Sequence, residues 1–172
     1  MLYQEYYSKV CEVLNHVMST QSEKIEQAGE MVARSIEADG VIYAFGCGHS
    51  HIVGEDLFYR AGALMLHEGA VKSSCMERLP GIAKPLFDRY CMTERDVLLV
   101  SSTSGINSVP VEMAEYAQQK NIPVIAIVSQ AYAEDRSRVP DGKRLCECAD
   151  LVIDNGVCHG DAAVTVGSSG VR

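Results

Sequence analysis

No stretch of the chain approaches the roughly 20 consecutive apolar residues that cross a bilayer. The first ten residues, MLYQEYYSKV, also lack the basic, apolar and small-residue regions of a secretory leader. A cytoplasmic protein with no membrane partner is therefore expected. Positive charge is scarce too: 15 Lys and Arg stand against 23 Asp and Glu, for a net charge of −8. That balance argues against nucleic acid as a partner, because counterion release needs clustered Lys and Arg that are absent here. Internal repeats and low-complexity tracts are missing as well. Cysteine is present, but its positions, 11, 47, 75, 91, 146, 148 and 158, form no regular framework and their number is odd. Free thiols in a reducing compartment are expected rather than disulfides.

At 172 residues the chain has the length of a single domain with a sizeable core. The first 38 residues show no strand signal and read as two helices. Leu2, Tyr6, Val10, Val13, Leu14 and Val17 make one apolar face, and Ile25, Ala28, Val32 and Ile36 a second, with a capping box at Thr20-Gln-Ser-Glu23 between them. This segment, 1–38, is expected to pack on the domain or on a partner subunit. From residue 41 apolar runs alternate with helical periodicity, which points to a parallel sheet with helices on both faces. Strands are expected at 41–45, 64–67, 96–101, 123–128 and 151–154. Helices are expected at 51–63, burying Val53, Leu57, Ala61 and Leu64, and at 108–120, burying Met113, Ala114 and Ala117, with a shorter one at 143–149. Pro110 falls in the first turn of the second helix, where it costs little. Residues 69–92 read as a loop with short helical turns beside the ligand edge, and 129–142 as a polar surface loop. The last residues, VTVGSSGVR, show no closing helix, so the domain spanning 39–172 is expected to lack its C-terminal end.

Two strands run into turns rich in Gly, Ser and Thr. VIYAF leads into Gly46-Cys-Gly48-His49-Ser50, and DVLLV into Ser101-Ser102-Thr103-Ser104-Gly105-Ile-Asn107. Such turns before a helix gather backbone N–H groups, hydroxyls and the positive end of a helix dipole, which together attract phosphate. The first turn also resembles the opening of a dinucleotide fingerprint, with Glu68 as the acidic residue some 20 positions on. Against that, the third glycine of G-x-G-x-x-G falls on His51. Four consecutive hydroxyl residues in the second turn require an acceptor or solvent if buried, and a phosphate supplies the oxygens. The plain alternatives are a structural turn at 46–50 and a solvent-exposed cap at 101–107.

GCGHS after the first strand, SSTSGIN after a later one, IPVIAIVS as the next strand and DLVIDNG as the last resemble the sugar isomerase (SIS) domain over residues 20–156. The chain also resembles bacterial phosphosugar and phosphoheptose isomerases. The resemblance implies an α/β fold: a three-layer α-β-α sandwich on a mostly parallel, flavodoxin-like, doubly wound sheet of about five strands, preceded by N-terminal helices. It also implies that Gly46, Gly48, His49, Ser50, Ser102, Thr103, Ser104, Gly105 and Asn107 bind the phosphate, Asn107 standing where the family usually has Thr. The helix after the first turn carries Asp56 and Arg60 where phosphoheptose isomerase has a histidine and a glutamate.

Aldose–ketose isomerisation needs a base that moves a proton between adjacent carbons and an acid that serves the oxygens. Glu55, about one turn into the helix, is one candidate catalytic residue, as is Glu77, which resembles in position a glutamate of the glucosamine-6-phosphate synthase isomerase domain. His51 is the third. His67-Glu68 ends the second strand at the ligand edge, and His159 follows the last strand, within expected reach of a partner's site. Cys146, Cys148, Cys158 and His159 are considered as zinc ligands, but one-residue spacing suits a zinc site poorly. No metal and no cofactor are expected. The expected activity is sugar-phosphate isomerisation, or a related lyase step, in a homo-oligomer (dimer or tetramer) with sites near the subunit interface. The alternative is a non-catalytic sugar-phosphate sensor, against which the N-terminus offers no basic recognition helix.

Overall fold

The computed structural model describes residues 1–59, 65–67, 75–140 and 142–165. Leu2–Glu37 form one continuous helix, α1, where the sequence suggests two. The hydroxyls of Ser19 and Thr20 both donate to the His16 carbonyl, at 2.9 and 2.8 Å, and Ser22 donates to that of Met18. These groups are satisfied by the preceding helical turn, and no proline interrupts it, so the capping-box pattern starts nothing.

Beyond α1 the order is β1 (Ile42–Gly46), α2 (His51–Tyr59), β2 (Met65–His67), α3 (Ala83–Asp88), β3 (Val97–Ser101), α4 (Ser108–Gln119), β4 (Val124–Val128) and β5 (Leu151–Asp154). All strand pairs are parallel and the order is β2-β1-β3-β4-β5. This is the flavodoxin-like, doubly wound sheet expected. Central parallel strands are covered on both faces, which is why they read as unbroken apolar runs. On one face Tyr43, Phe45, Leu98, Val100 and Val124 meet Phe87 of α3 and Val109, Met113 and Ala117 of α4. On the other, Ile42, Val97 and Ile125 meet Ala28, Met31 and Val32 of α1.

Two local expectations are corrected. Residues 143–149 make only a 3-10 turn at Leu145–Glu147. The N–H of Leu145 donates to the Gly105 carbonyl at 2.9 Å, tying this segment to the second turn rather than to a helix of its own. In α2, Val53 is 38% exposed while Ser50 and Gly54, four residues apart, face inward. The buried stripe is thus one position away from Val53. Ala61, Leu64, Arg60, Glu68 and positions 69–74 lie outside the described residues. No helix among the described residues is long and apolar enough to cross a membrane.

Candidate functional site

Strand order reverses between β1 and β3: the chain leaves β1 toward β2 on one side, and β3 toward β4 on the other. In open α/β sheets the ligand crevice forms at that switch point, outside the C-terminal ends of the strands. Gly46 and Ser101 are register partners across β1 and β3. The two Gly/Ser/Thr turns therefore leave from adjacent strands, about 4.8 Å apart.

The first turn folds sharply back. A β-carbon on Gly46 would meet the Ser50 carbonyl oxygen at 2.5 Å and His51 Cα at 2.9 Å, and Gly48 adopts φ +56°. Gly48–Ser50 make a 3-10 turn that runs directly into α2. His51 closes the turn. Its Nδ1 pairs with the Gly48 carbonyl, and its Nε2 lies 3.2 Å from Glu55 Oε1. Two of the three candidate catalytic residues are thus joined to each other and to the turn's backbone.

The second turn is held by neighbouring loops. Ser102 N–H donates to the Ile127 carbonyl at 3.0 Å, and Ser129 N–H to the Thr103 carbonyl at 2.8 Å. The Ser102 hydroxyl accepts from Gly105 N–H at 3.3 Å. Gly105 takes φ +63° with Val128 Cγ1 3.2 Å from where a β-carbon would sit, so a side chain there meets both strain and the β4 core. Among the described residues, the hydroxyls of Ser50, Thr103 and Ser104 make no hydrogen bond, and the N–H groups of Gly48, His49, Ser104 and Ile106 find no acceptor. Among the described residues, donors on both turns thus stand unpaired.

Glu77 is placed over these turns by α4. The 3-10 turn Met76–Arg78 is pinned at three points: Asn107 Nδ2 donates to Glu77 Oε1 at 2.9 Å, the Ser108 hydroxyl to the Arg78 carbonyl at 3.3 Å, and Gly81 N–H to both oxygens of buried Glu112 at 2.9 Å. The other Glu77 oxygen faces the first turn, 3.5 Å from the place a Gly48 β-carbon would take. Burial pushes the Glu77 carboxyl above its usual range, partly offset by Arg78, Arg138 and His49. Burial and the Glu77 charge together push the Cys47 thiol up to about 12, so it stays protonated.

Asn107 is 7% exposed and both ends of its amide are committed, since its Oδ1 accepts from the Arg138 guanidinium. Arg138 was missed by sequence reasoning because it sits in the polar stretch 129–142; Glu112 was missed because it looks like an ordinary helix carboxylate. His49 lies at the rim of the first turn, its Nε2 3.9 Å from Asp161 Oδ2. His159 does not join the two turns and instead lies 3.2 Å from Asp135. Among the described residues, no group of three or more His, Cys, Asp or Glu side chains is arranged to hold a metal. A hollow of about 540 Å³ lies at the opposite edge, lined by Arg34, Ser35 and Arg95. The switch point, with the donors that stand unpaired among the described residues, marks the candidate site.

A five-stranded sheet with paired Gly/Ser/Thr turns at its switch point defines a class, and the family described as "SIS domain" matches residues 5–129. The UPF0309 protein of Listeria innocua is 44% identical over 171 residues, spanning 92% of this chain and 69% of that protein. The chain belongs to the SIS domain proteins and, within them, to the UPF0309 family. Among solved structures, the phosphoheptose isomerase of Neisseria gonorrhoeae superposes with a TM-score of 0.68 at 17% identity, covering 95% of this chain and 90% of that one. An Escherichia coli protein solved as a ligand complex gives 0.63 at 13% identity, covering 90% and 71%. At such identities the likeness is one of fold.

Proposed function

We propose that the protein binds a sugar phosphate between its two turns and interconverts the aldose and ketose forms, with Glu77 as the base. One observation carries this reading: a partly buried carboxylate, held by Asn107, faces a turn whose N–H donors have no acceptor among the described residues. Membership of the SIS domain family and the fold shared with a phosphoheptose isomerase support it. In this account the hydroxyls of Ser50, Thr103 and Ser104 and the adjoining amides hold the phosphate. Gly46, Gly48 and Gly105 let the backbone approach it, and Ser102 shapes the second turn. Asn107 positions Glu77, while His51 and Glu55 fix the first turn beneath the sugar.

The chemistry needs no redox partner. Glu77 takes the proton from C2 as the C1 carbonyl oxygen gains one, giving an enediol. The C2 hydroxyl then loses its proton while Glu77 returns the carried proton to C1. Incubation of the full chain with hexose, hexosamine and heptose phosphates, followed by NMR, is expected to show aldose–ketose exchange for at least one member. Tight binding with every sugar recovered unchanged contradicts the isomerase reading and leaves the sensor reading in its place.

The phosphate cradle has its own test. Ser50→Ala combined with Ser104→Ala is expected to weaken sugar-phosphate binding by about 2 kcal/mol, roughly thirtyfold, since both hydroxyls donate to a charged group. Unchanged affinity by calorimetry removes both residues from the site.

The protein is further proposed to be a homo-oligomer assembled through α1. Leu2, Tyr3, Tyr6, Tyr7, Leu14 and Met18 are each 48% exposed or more in the single chain. An apolar stripe of that length is an interaction surface in the making. Tyr7→Glu with Leu14→Glu, both at exposed positions, is expected to reduce the mass seen by light scattering to that of one chain. Retention of the native mass overturns this assembly.

A further inference from the structure

Three loops meet at the rim of the candidate site, and a small polar network joins them. Asp161, in the segment after β5, stands at φ +63° directly behind Gly160 at +85°. Asp tolerates this left-handed conformation better than most residues. Oδ1 accepts from the Tyr132 hydroxyl at 2.9 Å, and Oδ2 lies 3.9 Å from His49 Nε2. The Tyr132 hydroxyl in turn accepts from Gly160 N–H at 2.9 Å, which fixes the direction of its own proton toward Asp161. The Tyr132 ring rests on His159, centroids 4.4 Å apart, and His159 is anchored by Asp135.

His49 thus has the Asp161 carboxylate beside its Nε2, while Glu77 stands over the same turn, next to Gly48. A loop staple needs only the Tyr132–Asp161 bond; the second Asp161 oxygen toward His49 is surplus to that purpose. We infer that Asp161, itself aligned by Tyr132, is a positioning residue that holds His49 with its Nε2 proton toward the carboxylate. Nδ1 is then presented to the sugar oxygens. This rests on the isomerase reading above and adds the group that serves O1 and O2 while Glu77 serves the carbons. Entering as the imidazolium, His49 gives its Nδ1 proton to the C1 oxygen as the enediol forms, which leaves the Nε2–H imidazole, and regains a proton at Nδ1 from the C2 hydroxyl as the enediol collapses, so it ends each turnover unchanged.

Asp161→Asn tests this without forcing the backbone, because Asn also tolerates positive φ and its carbonyl can still accept from Tyr132. The full-length variant is expected to lose about a hundredfold in kcat with KM for the converted sugar phosphate within about twofold. Nitrogen-15 NMR of the free protein is expected to show His49 moving from a dominant Nε2–H tautomer to a mixture. Tyr132→Phe, which keeps the ring on His159, is expected to shift both readouts in the same direction by less. An unchanged His49 tautomer in Asp161→Asn overturns the inference, as does an unchanged kcat. Absence of turnover in the unmutated protein, with the tautomer still shifting, overturns the isomerase reading and upholds the Asp161–His49 link.

Discussion

Glu77→Gln is expected to lower sugar-phosphate turnover by about 10³-fold while phosphate binding stays within about threefold. Gln keeps the size of the side chain, and its amide oxygen can still accept from Asn107 Nδ2, as Glu77 Oε1 does at 2.9 Å. What it lacks is the capacity to take a proton. The pH dependence follows from the environment: burial raises the Glu77 carboxyl, with Arg78, Arg138 and His49 pulling the other way. A base must be ionised to act, so activity is expected to rise with pH through a limb lying above the usual carboxylate range.

Stability depends on pH in the opposite sense. A carboxyl raised in the folded state favours folding when protonated. Its contribution is therefore full below the unfolded-state value and lost as pH rises through the folded-state value. Glu77→Gln removes that dependence, so at neutral pH the variant should be no less stable than the parent. Thermal unfolding thereby separates a lost base from a lost fold. Turnover within tenfold of the parent contradicts the assignment of Glu77.

Gly46→Ala is expected to destabilise the protein by about 3 kcal/mol and to abolish measurable sugar-phosphate binding. The added methyl would stand 2.5 Å from the Ser50 carbonyl oxygen, 2.7 Å from its carbon and 2.9 Å from His51 Cα. All three are backbone atoms of the turn itself, so no side chain can rotate out of the way. Relief requires residues 47–51 to move off the end of β1, which carries away the Gly48 and His49 amides and loosens the His51–Glu55 pair. Denaturant midpoints and calorimetry on the same variant check both effects. A variant of parental stability and affinity contradicts the close-packed turn.

What the sequence made legible follows from local chemistry. The central strands β1, β3 and β4 bury both faces and so appear as apolar runs, and the two turns appear because Gly, Ser and Thr gather where those strands end. The fold class and the two turns were thus readable before any coordinates, whereas the switch point between β1 and β3 needed the strand order. The length of α1 was not. Whether Thr20-Gln-Ser-Glu23 starts a helix or sits inside one depends on where its hydroxyls point, and they point back to His16 and Met18.

The support around Glu77 was hidden for a different reason. Asn107, Ser108 and Glu112 reach it or its loop across 30, 30 and 31 residues of sequence, a separation that no periodicity records. Arg138 and Asp161 lie in polar loops whose composition is that of any solvent-facing segment. Only their partners set them apart: the Asn107 amide for one, Tyr132 and His49 for the other.

The two turns are proposed to form one phosphate cradle. Titration of the nitrogen-15-labelled full chain with a sugar phosphate, followed by amide chemical shifts, tests it most directly. The expected result is that Gly48, His49, Ser104 and Ile106 move together along one saturating curve. Shifts confined to other surfaces, such as the hollow beside Arg34 and Arg95, contradict it, as does a spectrum unmoved at millimolar ligand.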